Sequence, residues 1–190
     1  RWPGVVEPGR VINDIFSHLD WLPTLLTAAG EPDITTKLLE GHSAGGKSYR
    51  VHLDGYDQTA LLAGNGAGNR NELFYFDDNG NFNALRWGDW KIHFALMPEG
   101  WSGPRERVNF PRIVHLRSDP YEVSLDSALY SRFFADQLWL FVPVQQEVGK
   151  WLSTFREYPP RQPTASFTID TMMQQMQQML QMRARGAAAQ

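Results

Sequence analysis

From residue 73 onward the hydrophobic pattern takes a period of two, which restricts this part of the chain to β-structure. Four strands are predicted, at residues 73–76, 82–87, 90–95 and 112–117. Turns of Asp, Asn and Gly make the first two connections, and a longer loop rich in Gly and Pro makes the third. Because consecutive strands usually pair with their neighbours, the pattern predicts a four-stranded antiparallel meander.

Two helical patterns follow the predicted sheet, over about residues 127–141 and 144–158. Pro143 separates them and Pro159 stops the second, because a proline disfavours helix in the residue before it. Apolar residues of the second pattern share one helix face and are expected to cover the sheet. They are Val144, Val148, Trp151, Leu152 and Phe155.

The chain before the sheet carries helical and turn patterns. Asp20 is predicted to be the N-cap of a helix that has Pro23 in its first turn and stops at Gly30. Proline is tolerated in the first turn because its missing N–H would have no partner there. Capping by Ser17 is the weaker interpretation, since Pro23 would then lie beyond the first turn.

Three shorter features are predicted between this helix and the sheet. Residues 51–53 are predicted as a strand that closes at a tight turn containing Asp54. Asp57 is predicted to cap a short helix through Leu62. Structural roles therefore account for Asp20, Asp54 and Asp57.

Composition excludes several classes of function. The 190 residues are 42% hydrophobic with a net charge of −3, so a packed core is expected and a basic nucleic-acid-binding stripe is not. There is no cysteine, which removes disulfides, thiolate metal sites and a cysteine nucleophile. The sequence contains no run of about 18 apolar residues, so no transmembrane helix is predicted. The five histidines are scattered, and none forms an i, i+4 pair of the kind that binds zinc on a helix.

The last part of the chain, residues 166–190, is rich in Met and Gln. Apolar residues recur there at helical spacing, and the sequence then ends in alanines. The pattern predicts an amphipathic helix that becomes disordered toward its end. Its stripe consists of Met172, Met173, Met176, Met179 and Leu180.

Six segments, taken in order, resemble the sulfatase family and specifically its bacterial arylsulfatases. They are residues 1–4 (Arg-Trp-Pro-Gly), 16–26, 52–57, 74–76, 84–91 and 116–122. The ordered set covers about residues 1–165 and leaves the Met/Gln tail outside. Arg1 does not resemble a natural start and is interpreted as an internal cut.

The resemblance implies an α+β chain in three parts. Residues 1–70 correspond to the end of an alkaline-phosphatase-like α/β sulfatase domain. Residues 71–165 correspond to a small C-terminal subdomain with a four-stranded antiparallel sheet packed against a helix, as the hydrophobic pattern also predicts. Residues 166–190 form the helical tail.

The resemblance also implies the chemistry of sulfate ester hydrolysis in the parent protein. A Ser or Cys in a Ser/Cys-x-Pro-x-Arg motif becomes formylglycine, and calcium binds nearby. These motifs belong upstream of residue 1, so no catalytic, metal-binding or cofactor-binding residue is carried over, and the chain alone is expected to be inactive. The parent is expected to be periplasmic or secreted and to act on an aryl sulfate ester. Phosphate and phosphonate esters stay open as alternatives.

One loop holds the candidate residues for the rim of a substrate site. Trp101 and Arg105 lie between the third and fourth strands, where an aromatic ring and a cation suit an aryl sulfate. In the same loop, residues 102–106 come close to the formylglycine motif, but Glu106 stands where arginine is required. Asp77 and Asp78 belong to a turn between strands, which explains them better than metal binding.

The expected partner is the missing catalytic domain, or a second copy of the chain. The alternative function is a non-catalytic module that associates through an exposed apolar face and the Met-rich helix. Because the start of the segment packs into a large domain in the family, apolar residues there are expected to have lost part of their burial. These are Trp2, Val5, Val6, Ile12, Ile15 and Phe16.

Overall fold

A computed structural model describes residues 2–100 and 102–159, together with Met173 and Met176. The fold is α+β. Along the sequence, helices come both before and after the strands of the main sheet. The helices are α1 (Trp21–Ala28), α2 (Ile34–Glu40), α3 (Thr59–Ala63), α4 (Tyr130–Asp136) and α5 (Phe141–Glu157). The strands are β1 (His42–Ala44), β2 (Lys47–Tyr49), β3 (Glu72–Phe76), β4 (Phe82–Trp87), β5 (Trp90–Leu96) and β6 (Glu106–His115).

The predicted meander is confirmed, with strand order β3-β4-β5-β6 and antiparallel pairing throughout. The fourth strand begins at Glu106, six residues before the predicted start at 112. A register shift between His93 and Ala95 lets Ala95 pair with Arg107, so the second half of the Gly- and Pro-rich loop joins the sheet. Sequence alternation did not reveal this extension, because a bulge interrupts the period of two.

The core lies between the sheet and α5, as predicted. Leu85, Ile92 and Ile113 come from three neighbouring strands and are fully buried against Leu140 and Val144. At the edge, the Trp151 ring of α5 stacks on Phe74 of β3 with 4.5 Å between ring centroids. An aromatic pair in this geometry adds to the apolar burial that holds the helix on the sheet.

The predicted break at Pro143 is wrong. Helix α5 begins at Phe141 and contains Pro143 in its first turn, where the missing N–H costs no hydrogen bond. The predicted helix over 127–141 is instead the shorter α4, flanked by 3-10 turns at Val123–Asp126 and Leu138–Leu140. A proline near a helix boundary can follow the end of one helix or lie in the first turn of the next. Tertiary packing placed Pro143 in the first turn of α5.

Before the main sheet, the predicted strand at 51–53 is also wrong, because these residues pair with no strand. A two-stranded hairpin of β1 and β2 lies nearby instead, joined through Gly45 and Gly46. Helix α3 is confirmed, but Gln58 and not the predicted Asp57 holds its N-cap position. The Asp57 carboxylate, one residue earlier, accepts hydrogen bonds from the N–H and hydroxyl of Thr59, the first residue of the helix.

Met173 and Met176 have helical backbone, and the rest of the predicted tail helix lies outside the described residues. Within the part of the chain that the structure describes, no helix is long and apolar enough to cross a membrane. The six apolar residues near the start are all of intermediate exposure, and their loss of burial stays a prediction.

Candidate functional site

A fully buried ion pair joins the start of α1 to the start of the main sheet. The Asp20 side chain is 0% exposed and the Arg70 side chain 2% exposed. Arg70 Nε donates to both carboxylate oxygens of Asp20, at 3.1 and 2.9 Å, and Nη2 donates to Oδ1. Nη2 also donates to the backbone oxygen of Asp54, and Nη1 donates to that of Glu72. Charges this deeply buried are tolerated when they are paired and hydrogen-bonded, as both are here.

The Asp20 carboxylate also accepts bonds from the backbone N–H groups of Ser17 and Tyr56 and from the Gln58 amide. Burial alone raises the pKa of Asp20, but the hydrogen bonds from Arg70 and these N–H groups outweigh it and lower the pKa. Burial likewise lowers the pKa of Arg70, and the Asp20 partner more than reverses this. The pair therefore stays ionised across the physiological range.

This role for Asp20 corrects the prediction that it caps α1. Asp20 occupies the position before α1 but makes no side-chain bond to that helix. Ser17 and Asp20 form a reciprocal capping box on the 3-10 turn His18–Asp20. The same Asp20 carboxylate points inward and binds Arg70. The signal in the sequence was Arg70 itself, since a buried carboxylate requires a cation. The two residues are 50 positions apart, however, and this separation gave no spacing to recognise.

Helix α1 buries its polar and proline side and turns its leucines outward. Thr24 is buried and accepts a bond from the Gln58 N–H at 3.0 Å, and Pro23 is buried beside it. On the opposite side, Leu22 is 51% and Leu25 58% exposed. We call the exposed set the α1 face; it consists of Leu19, Trp21, Leu22 and Leu25. Exposed apolar side chains grouped in this way are typical of interaction surfaces.

A cavity of about 400 Å³ opens beside the ion pair, between the segment 52–57, β3 and α5. Phe76 and Trp151 contribute aromatic surface to it, and Tyr56 and Glu72 lie at its rim. The Tyr56 hydroxyl donates to Glu72 Oε1 at 2.5 Å. Burial, and then this bond to a carboxylate, raise the pKa of Tyr56, so the hydroxyl is a hydrogen-bond donor and not a base at neutral pH.

A second polar cluster lies on the sheet face opposite α5. Glu122 adopts a left-handed backbone, with φ 59°, and its carboxylate contacts Lys91 Nζ and lies 2.6 Å from His93 Nε2. The His93 contact first, and Lys91 after it, lower the pKa of Glu122 to about 2 against the opposing effect of burial. The Lys91 ammonium also lies 5.0 Å from the centre of the Tyr75 ring. The cluster fixes the turn after β6 on the sheet.

The two predicted rim residues have different outcomes. Trp101 lies outside the described residues. Arg105 Nε donates to the Asn83 side chain at 2.6 Å, and Nη2 donates to the Phe82 carbonyl. Arg105 Nε also lies 3.6 Å from Asp77 Oδ2, so Arg105 stabilises the turn that contains Asp77. A role of either residue at a substrate rim stays a prediction.

In the described ranges 2–100 and 102–159, no three His, Asp or Glu side chains converge closely enough to hold a metal ion.

Comparisons with known proteins place these features in context. No family model matches the chain. The chain is 36% identical to human arylsulfatase A over 97 residues, which are 49% of this chain and 16% of that protein. It is 29% identical to human steryl-sulfatase over 87 residues, which are 46% of this chain and 12% of that protein.

Among solved structures, the PsFucS1 sulfatase from Pseudoalteromonas sp. has a similar fold, with a TM-score of 0.64 and 24% identity. The similarity covers 85% of this chain and 30% of that one. The chain therefore matches the sulfatases over a partial segment, which confirms the resemblance drawn from its motifs. It spans about one sixth of the length of the curated arylsulfatase it matches.

Proposed function

We propose that this chain is the C-terminal segment of an arylsulfatase-like sulfuric ester hydrolase and that it packs on the rest of the enzyme through the α1 face. The observation that carries the proposal is the outward orientation of Leu22 and Leu25, which are both more than half exposed. The similarity to sulfatases supports the proposed family. The chain matches only a small share of their length, which supports a further layer of protein for the α1 face to pack on.

The energetics of the α1 face favour a protein partner. Covering a leucine or tryptophan side chain contributes roughly 1.5–3 kcal/mol when burial is complete, and the four residues here are already partly covered. Their further burial still amounts to several kcal/mol. The helix behind them is held by Asp20 and Arg70, so little conformational entropy is lost when a partner docks.

The catalytic chemistry belongs to the partner layer. Formylglycine and calcium are expected there, and an aryl sulfate ester is the expected substrate. Residues 1–70 complete the alkaline-phosphatase-like domain, residues 71–165 form the C-terminal subdomain, and the parent is periplasmic or secreted. Trp101 and Arg105 are proposed to lie near the rim of the substrate site. By itself the chain does not hydrolyse sulfate esters.

Complementation tests this proposal. The source gene is sequenced upstream of Arg1, where a Ser/Cys-x-Pro-x-Arg motif is expected, and the upstream polypeptide is co-expressed with this chain as a separate polypeptide. Hydrolysis of nitrophenyl sulfate should require both parts. The pair Leu22→Glu and Leu25→Glu should abolish co-purification and activity together. Val123→Glu is the matched control at an exposed apolar residue outside the α1 face and should preserve both.

The exposed α1 face also favours a second candidate, a non-catalytic module that associates with itself or another partner. Sedimentation of the isolated chain distinguishes the two. A stable dimer that is lost on Leu25→Glu, with no sulfatase motif in the upstream reading frame, would replace the enzyme proposal with this one.

A further inference from the structure

A second apolar surface, separate from the α1 face, runs along the outer side of α5. Two adjoining cavities of about 360 and 430 Å³ share Pro111 and Phe141. We call this surface the outer groove; its principal residues are Phe110, Pro111, Phe141, Gln145, Gly149 and Leu152. No charged side chain lines it among the described residues.

The groove has the form that accepts a helix. Phe141, Gln145, Gly149 and Leu152 recur at spacings of four, four and three residues and so share one side of α5. A Cβ at Gly149 would meet no atom within 4 Å, so this glycine leaves room for the backbone of a second helix to approach. Phe110, which is largely exposed, forms the opposite wall.

The chain contains a segment that matches this groove in chemistry. Residues 171–182 carry no charged side chain, and five of the protein's six methionines lie among them. Met173 and Met176 are helical and about half exposed, so their stripe has surface to bury. Methionine side chains adapt to irregular apolar grooves, and an uncharged stripe loses no ion solvation on entering an uncharged groove.

The segment also matches the groove in length and connection. From Phe141 to Leu152 a helix rises about 16 Å, and from Met172 to Met182 it rises about 15 Å. Pro159 and Pro160 prevent α5 from continuing in its own direction. The ten residues 158–167, between α5 and the proposed helix, can extend to about 36 Å, which is enough to reverse the chain beside α5.

We propose that residues 168–182 fold back as a helix antiparallel to α5 and bury the methionine stripe in the outer groove. The two helices then pack side by side as an antiparallel pair. This occupant covers the outer groove from within the chain and leaves the α1 face open to a partner.

Paramagnetic relaxation on the full 190-residue chain tests the proposal. The sequence has no cysteine, so Gln146→Cys or Ser153→Cys each takes one spin label on the exposed rim of α5. In chains carrying 13C-methyl methionine, the label at position 153 should broaden Met172 and Met173 most. The label at 146 should broaden Met179 and Met182 most. A label on Ala28→Cys, in α1, should affect the tail methyls least.

Substitution in the groove supplies the matched test. Leu152→Glu should reduce the broadening from position 153 at least twofold, and Val123→Glu should leave it unchanged. Equal broadening in both variants, or the opposite gradient along the stripe, overturns the proposal. Broadening that appears when labelled and isotope-enriched chains are mixed also overturns it, because the groove then holds the tail of a second copy.

Discussion

Arg70→Met removes the cation from the buried pair while keeping an unbranched apolar side chain in its place. The substitution deletes the donors to Asp20 and to the backbone oxygens of Asp54 and Glu72. It leaves the Asp20 carboxylate, with 0% exposure, buried without a counter-charge. Breaking a buried pair in this way typically costs about 3–5 kcal/mol, a large part of the roughly 5–15 kcal/mol that stabilises a domain.

Urea denaturation followed by tryptophan fluorescence measures the loss, because unfolding exposes several of the seven tryptophans. Arg117→Met is the control: its pair with Asp89 spans 3.8 Å between largely exposed side chains, so its removal should cost less than about 0.5 kcal/mol. In the double variant, Asp20→Asn should recover part of the stability lost in Arg70→Met, since no buried charge then remains. A loss below about 1.5 kcal/mol for Arg70→Met, or additive losses in the double variant, would refute the reasoning.

Three further predictions follow from the geometry. The ionised Glu122 contributes stability that is complete above its ordinary pKa of 4.5 and is lost as the pH falls toward about 2. In Glu122→Gln the melting temperature should therefore fall less steeply over that pH window than in the unmodified chain. Equal slopes of melting temperature against pH in the two chains would contradict this. A Cβ at Gly55 would lie 2.0 Å from the Leu19 carbonyl oxygen, so Gly55→Ala should destabilise by about 1–3 kcal/mol in urea. Gly66→Ala, with its nearest contact at 3.6 Å, is the neutral control, and similar losses in both would count against the clash. Leu25→Lys should leave the stability of the isolated chain within about 0.5 kcal/mol and reduce the binding of a hydrophobic dye; an unfolded variant would mean that Leu25 is a core residue.

The meander and its covering helix could be predicted because their signals are local. Alternation through β5 puts Trp90, Ile92 and Phe94 on one face of the sheet, and the spacing of Val144 and Trp151 selects one face of α5. Each signal needs only residues that lie a few positions apart. The family resemblance had the same basis, since its motifs are short and follow one another in order.

Helix boundaries and the extension of β6 were decided by packing. Pro143 fits either the end of one helix or the first turn of the next, and the burial of Leu140 and Val144 on the sheet selected the latter. The bulge after His93 shifts the pairing, so alternation could not predict that Arg107 faces Ala95.

The buried pair and the α1 face depended on tertiary structure alone. Asp20 had a sufficient local explanation as a helix cap, and only the approach of Arg70 gave the carboxylate its counter-charge. Leu22 and Leu25 have the spacing of a helix face that enters a core. Asp20 and Thr24, however, accept hydrogen bonds from the backbone N–H groups of the 56–58 segment, which turns the leucines outward. A sequence determines which residues share a helix face; which face is buried depends on the surfaces that long-range contacts bring against it.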